Sequence, residues 1–277
     1  MSKSKGNVVT PTHLLENYSS DAVRYWSAKA RLGVDTAFDE NVFGIGKKLV
    51  TKLFNASKFV LAQLEGAKGL TLQECSMAMD LAQIDELRRV TADATKAFEQ
   101  LDYAGALDKI ETSFWTFCDH YIELVKIRAY RDENEAHRRS AQASLDYSLK
   151  TYLRLFAPYL PFITEEVWSW HFSSGKDSIH RAAWPSAVET KFAPIPPFEG
   201  LLDMAVVIMS AVRGAKTVAQ KNMKHPVVSL TLNCSEQTRC KLETVMSDII
   251  LAGSVEKIDY ALREDNDVVV SDIVLGD

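Results

Sequence analysis

No two of the four cysteines stand at C-x-x-C spacing, so Cys75, Cys118, Cys234 and Cys240 offer neither a zinc knuckle nor a disulfide framework. A reducing cytoplasm is therefore the expected compartment. Long apolar runs are missing as well. No stretch reaches the roughly 20 residues that span a bilayer, and the N-terminus has no apolar signal-peptide core. The six histidines are scattered without ligand spacing, and no Ser/His/Asp set can be assembled around them. Internal repeats and low-complexity tracts are absent. A net charge of −5 argues against a general polyanion binder.

What is present is a 277-residue chain, 47% hydrophobic, large enough to bury more than one core. Its charge is uneven. Between Met1 and Leu64 nine basic residues face five acidic ones, a local +4, so the remainder carries −9. Such a basic stretch on an acidic protein fits a local anionic partner, and it equally fits a solvated helix face.

Apolar periodicity predicts a run of helices. Thr12 is a candidate N-cap for a short helix over 13–17, and Ser19-Ser20 precede a second at Asp21. Ile45, Leu49, Leu53, Ala56, Val60 and Leu64 draw one stripe that ends at Gly66 and Gly69. Further amphipathic helices are expected over 80–101, 103–131 and 140–156, with Cys118 a buried thiol. Pro158 and Pro161 stop the last of these, and Thr164 reads as the cap of the next. Trp168 and Trp170 lie two apart, so at most one points inward. Glu165 and Glu166 read as capping carboxylates, and Asp132-Glu133-x-Glu135 as a solvated loop.

Four amphipathic helices in sequence predict an antiparallel bundle. Pro185, Pro194, Pro196 and Pro197 mark a linker, beyond which periodicity predicts helices over 201–221 and 236–251, and alternation predicts strands near 226–232, 255–260 and 268–274. The expected fold is mainly α, a helix bundle followed by a small α/β domain. The boundaries are 1–40 for an opening segment, 41–184 for the bundle, 185–200 for the linker and 201–277 for the α/β part.

The opening segment carries the most specific text. Met1-Ser2-Lys3-Ser4 followed by Lys5-Gly6-Asn7-Val8-Val9-x-Pro11 resembles the lysine–methionine–serine–lysine–serine signature of class I aminoacyl-tRNA synthetases. Tyr18-x-x-Asp21-Ala22-Val23-Arg24-Tyr25 resembles the stretch that follows it in the aliphatic subclass. Lys52-Leu53-Phe54-Asn55-Ala56-Ser57-Lys58-Phe59-Val60 is similar to a helix of the valyl-tRNA synthetases. Cys118-Asp119-x-Tyr121-Ile122-Glu123, Pro158 to Trp168, and Ser178-Ile179-His180 with Trp184-Pro185 also fit that family. The arginine-rich pattern and cysteine-rich zinc module of isoleucyl enzymes do not appear. The resemblance covers residues 1 to about 185 strongly and the tail more weakly.

The resemblance implies a bundle that binds the anticodon stem and loop of a valine-acceptor tRNA and acts as an anticodon-binding domain. Lys52 and Phe59, two helical turns apart on one face, align with a lysine and an aromatic that contact the anticodon loop. Ile122 aligns with an apolar contact. Asn41 stands where relatives carry an arginine. In the parent enzyme, ATP (with Mg) and valine form valyl-adenylate, and a mobile lysine stabilises the leaving pyrophosphate. Lys3 takes that catalytic place, with Ser2 and Ser4 beside it on ATP. The signature's first lysine would precede Met1, and the nucleotide fold and editing domain do not occur in these residues, so the 277 residues alone are expected to bind tRNA without catalysing. No metal site, no further cofactor, no membrane association and a monomer are expected. Two other readings stay open: a free-standing tRNA-binding or regulatory paralogue, and a fragment of an isoleucine- or leucine-specific ligase.

Overall fold

A computed structural model describes residues 11–35, 38–175, 177–190 and 200–276. The helices are α1 Pro11–Tyr18, α2 Ser20–Lys29, α3 Glu40–Gln63, α4 Ala78–Glu99, α5 Tyr103–Thr116, α6 Ile122–Arg131, α7 Glu135–Phe156 and α8 Pro161–His171. A smaller α/β part follows: α9 Leu201–Val218, β1 Val227–Cys234, α10 Glu236–Glu243, α11 Met246–Gly253, β2 Ile258–Leu262 and β3 Val269–Leu275. This is the expected class, mainly α with a small α/β segment behind it. Among the described residues no helix is long and apolar enough to cross a membrane, and no His/Cys/Asp/Glu group could hold a metal.

The chain divides into two units that do not follow its linear order. The first comprises 1–62, 90–112 and 149–186, and the second 63–89, 113–148 and 187–277. In the first, Tyr25, Phe43, Leu49, Leu53, Val60, Leu107, Ile110, Tyr152, Phe156 and Val167 are buried. The inward stripe of α3 runs through Phe43, Gly46, Leu49, Leu53, Ala56 and Val60. Ile45, expected inward, is 45% exposed. The register is set by Gly46, whose missing side chain lets Tyr25 approach until an added Cβ would lie 2.8 Å from the ring. Tyr25 is pinned there, since its hydroxyl donates to Glu111 Oε2 at 2.8 Å.

Helix α8 begins at Pro161, not at Thr164, which is buried inside it and donates its hydroxyl to Leu160 O at 2.8 Å. Pro161 suits the first helical position because its missing N–H would be orphaned there anyway. The next two amides, Phe162 N and Ile163 N, donate to Asp21 Oδ1 and Oδ2 at 3.1 and 2.8 Å. Asp21 belongs to the first turn of α2, so one carboxylate serves two helix N-termini. Helix α2 is itself capped by Ser19, whose hydroxyl accepts from Ala22 N.

In the second unit the expected helix over 103–131 is interrupted by a π turn at Phe117–Tyr121, between α5 and α6. The wider turn resets the helical register, and it carries a buried Tyr121. Cys118 is buried, as expected. The expected single helix over 236–251 breaks at Thr244 and Val245 into α10 and α11. Strand β1 is central, parallel to β2 (Leu230 beside Ile258) and antiparallel to β3 (Leu232 beside Val270). Its Leu230, Leu232 and Cys234 point into the core with Ile208, Val212 and Ile249 buried in the same unit. Lys216 is buried as well, and it donates to Gly253 O at 2.7 Å and Met223 O at 3.0 Å, so a cation closes the C-terminal end of α11.

Candidate nucleic-acid interface

Helix α3 buries one face and presents the other. Its sequence holds four lysines, Lys47, Lys48, Lys52 and Lys58, against one carboxylate, Glu40. At the helical pitch, all four lysines fall within about 140° of circumference, opposite the buried stripe. Glu40 is engaged at the start of the helix, where its Oε1 accepts from the Tyr18 hydroxyl at 3.1 Å. Lys47 donates to Asn17 O at 3.0 Å.

Three of the four anticodon candidates lie on this face. Asn41, Lys52 and Phe59 share one line with exposed Ile45, Lys48 and Asn55, at steps of three and four residues. The line runs five turns, about 27 Å from Asn41 to Phe59. Lys52 and Phe59 are partly buried and Asn41 is exposed. Asn41 turns its side-chain amide back onto Asp39, with Nδ2 donating to Oδ1 at 3.0 Å and its backbone N to the same oxygen at 2.9 Å. The fourth candidate, Ile122, belongs to the second unit and is only 5% exposed, placed among core side chains at the start of α6. Ser2, Lys3 and Ser4 lie outside the described residues.

Sequence reasoning missed a second group on α3. The Lys58 ammonium sits 5.5 Å from the centroid of Phe54. The Phe54 ring meets Trp170 of α8 edge to face, with centroids 5.5 Å apart and planes at 81°. The Trp170 indole Nε1 donates to Glu166 Oε1 at 3.1 Å, one turn back on α8. Trp168 is 6% exposed and Trp170 38%. The two-residue spacing that sends one tryptophan inward sends the other out, and that was the available signal. Neither Glu165 nor Glu166 lies in the first turn of α8, where a capping role was expected. Glu165 Oε2 instead accepts from Ser178 Oγ at 2.8 Å and from Ile179 N at 3.0 Å, at the start of the short turn Ile179–Arg181. The outward arc of α3 thus combines lysines with an aromatic at each border, Phe59 on one side and Phe54 on the other. Cations that can meet a phosphate backbone, interleaved with rings that can stack on bases, are what single-stranded nucleic acid requires.

Comparison with known proteins agrees with this chemistry. Residues 80–231 match the family described as the anticodon-binding domain of tRNA ligase. The valine–tRNA ligase of Leifsonia xyli subsp. xyli is 41% identical over 278 residues, covering 99% of this chain and 31% of the relative. That of Salinispora tropica is 41% identical over 293 residues, covering 100% and 33%. That of Thermobifida fusca is 42% identical over 265 residues, covering 96% and 29%. The chain spans about a third of the length of these curated relatives. Among solved structures, the LeuRS of Agrobacterium radiobacter K84, in a ternary complex with tRNA and LeuAMS, superimposes with a TM-score of 0.52. That match covers 69% of this chain and 23% of the other at 19% identity, a likeness of fold.

Proposed function

The chain belongs to the family of anticodon-binding domains of tRNA ligases, and from that premise we propose that it is the tRNA-reading portion of a valine–tRNA ligase. The observation that carries the reading is the outward face of α3, where Lys48, Lys52 and Phe59 line up along one side of a helix whose only carboxylate is at its first residue. The valine-named relatives support the specificity. In this reading the lysines hold the backbone of the anticodon stem and loop while Phe59 stacks on an unpaired base. Asn41 at the head of the line offers an amide where an arginine would offer a charge. Ile122 is assigned to the site by its alignment with an apolar contact of the family.

The parent reaction joins valine to its tRNA at the expense of ATP, with Mg on the nucleotide. We assign Lys3 the stabilisation of charge on the departing pyrophosphate, with Ser2 and Ser4 as donors to the ATP phosphates. Neutralising that charge is electrostatic catalysis and needs no proton transfer. The 277 residues alone bind tRNA as a monomer in the cytoplasm and form no adenylate, so valine-dependent ATP–pyrophosphate exchange by the isolated chain is expected at background.

Filter binding with valine- and isoleucine-acceptor tRNAs tests the assignment, and tighter retention of the valine acceptor is expected. Phe59→Ala should weaken valine-tRNA binding by about fivefold to a hundredfold, the cost of losing one base stack. Its melting temperature should move by only a few degrees, because the ring is not fully buried and keeps part of its surface in solvent. Unchanged tRNA affinity together with a large melting loss would identify Phe59 as core and remove it from the site.

A further inference from the structure

We propose that Trp170, Phe54 and Lys58 form a second stacking site, which takes an unpaired base of the RNA strand held along α3. The proposal rests on the tRNA reading and adds a contact on the opposite border of the lysine arc.

The geometry is that of a prepared platform. An indole left 38% exposed at the end of a surface helix would ordinarily sample several rotamers. Trp170 is held at two points: Glu166 accepts from its Nε1, and the Phe54 ring meets it edge-on. The ring is fixed before any ligand arrives, so little conformational entropy remains to be lost on binding, the principal cost of a stacking contact. An aromatic face accepts any base, and sequence tolerance is a property of such platforms.

Charge points to nucleic acid as the occupant. Lys58 is exposed, and its ammonium lies against Phe54, on the side of the platform that adjoins the other lysines of α3. A strand crossing this face would meet Phe59 at one border, the lysines in the middle, and Phe54 with Trp170 at the other. The carboxylates near the platform are already engaged, Glu166 with the indole and Glu165 with Ser178 and Ile179. They bar a phosphate from the α8 side, so the nucleotide enters base-first with its phosphate toward Lys58.

The experiment uses the full 277-residue chain and a tRNA transcript bearing a valine anticodon, read by tryptophan fluorescence and filter binding. A base stacked on an indole quenches it, so the wild-type chain should lose more emission on saturation than Trp170→Phe does. Trp170→Ala should bind about fivefold to a hundredfold more weakly, whereas Trp170→Phe, which keeps a ring, should stay within about threefold. Lys58→Ala should weaken binding and lower the salt dependence by about one counterion. Because Trp170→Ala could also loosen α8, the quenching difference between wild type and Trp170→Phe is the deciding signal. Equal quenching in those two proteins, with Phe59→Ala still impaired, overturns the second site and leaves the first standing. Full affinity in both Phe59→Ala and Trp170→Ala overturns both.

Discussion

Arg128→Met is expected to destabilise the protein by about 3–5 kcal/mol, because it strips two buried carboxylates of their shared cation. Arg128 is buried in the second unit, and all five of its N–H donors are used. Nη1 and Nη2 grip Asp80 of α4 bidentately at 2.7 and 2.8 Å. Nε and Nη2 reach Asp248 of α11 at 2.9 and 3.1 Å, and Nη1 also donates to His137 O at 3.1 Å. Asp80 accepts in addition from Tyr121 Oη at 2.8 Å and from Ser140 Oγ. Ser140 Oγ in turn accepts from the backbone amides of Ser76 and Met77, just ahead of α4. One guanidinium therefore ties α4, α6, α7 and α11 together. Methionine fills much of the volume but leaves two buried carboxylates without their cation. Arg128→Lys keeps the charge and loses the planar fork, so an intermediate loss is expected.

The pH dependence of that variant follows from Asp248. Burial, with the neighbouring Asp80 and Asp132 charges, raises its pKa even against the pull of Arg128. Without the arginine the folded pKa rises further. A carboxyl group raised in the folded state contributes stability below its unfolded pKa and loses it as pH increases through the folded one. The deficit of Arg128→Met should thus be greatest at neutral pH and narrow toward pH 5. Urea unfolding at both pH values checks this, and a neutral-pH loss under about 1 kcal/mol would refute the assigned role of the cluster.

The contrast between what was and was not legible in the sequence has a physical basis. Helices α3, α4 and α7 announce themselves because burial of one face imposes a three-to-four residue rhythm, and the Lys52–Phe59 pairing follows from seven residues making two turns. The same rhythm misplaced Ile45, because it counts apolar residues and cannot credit a glycine that is buried for its lack of a side chain. The Arg128 cluster was invisible because its members lie 48 and 120 residues apart and each, taken singly, looks like a surface charge. The Phe54–Trp170 contact was hidden for a similar reason: it depends on how α8 lies beside α3, which neither helix's own pattern encodes. Thr164 satisfies the local rule for a cap, a hydroxyl ahead of carboxylates, yet sits inside the helix. The actual cap arrives from 141 residues away.

That long-range cap carries the second large effect. Asp21→Ala should cost about 2 kcal/mol, combining the loss of a helix cap with two amides left without an acceptor. For a chain of this size the melting temperature should fall by roughly 4–8 °C. Helix α8 has no carboxylate in its first turn and Leu160 at its N-cap position, so nothing local replaces Asp21. Asp21→Asn retains one acceptor and should lose about half as much. Burial raises the Asp21 pKa, opposed by the Ile163 and Phe162 amides and by the positive charges of Arg24 and His180. Its stabilising contribution is therefore complete below the unfolded value near pH 4 and declines as pH rises through the folded one. The gap between wild type and the non-titrating Asp21→Asn should accordingly be wider in acid than at neutrality. Thermal melts of the two variants across that range decide the matter, and Asp21→Ala melting within a degree of wild type would show that α8 is held by its packing alone. If the cap does hold α8, Asp21→Ala also frees the helix that presents Trp170, and the fluorescence change on adding tRNA should shrink with the helix's order.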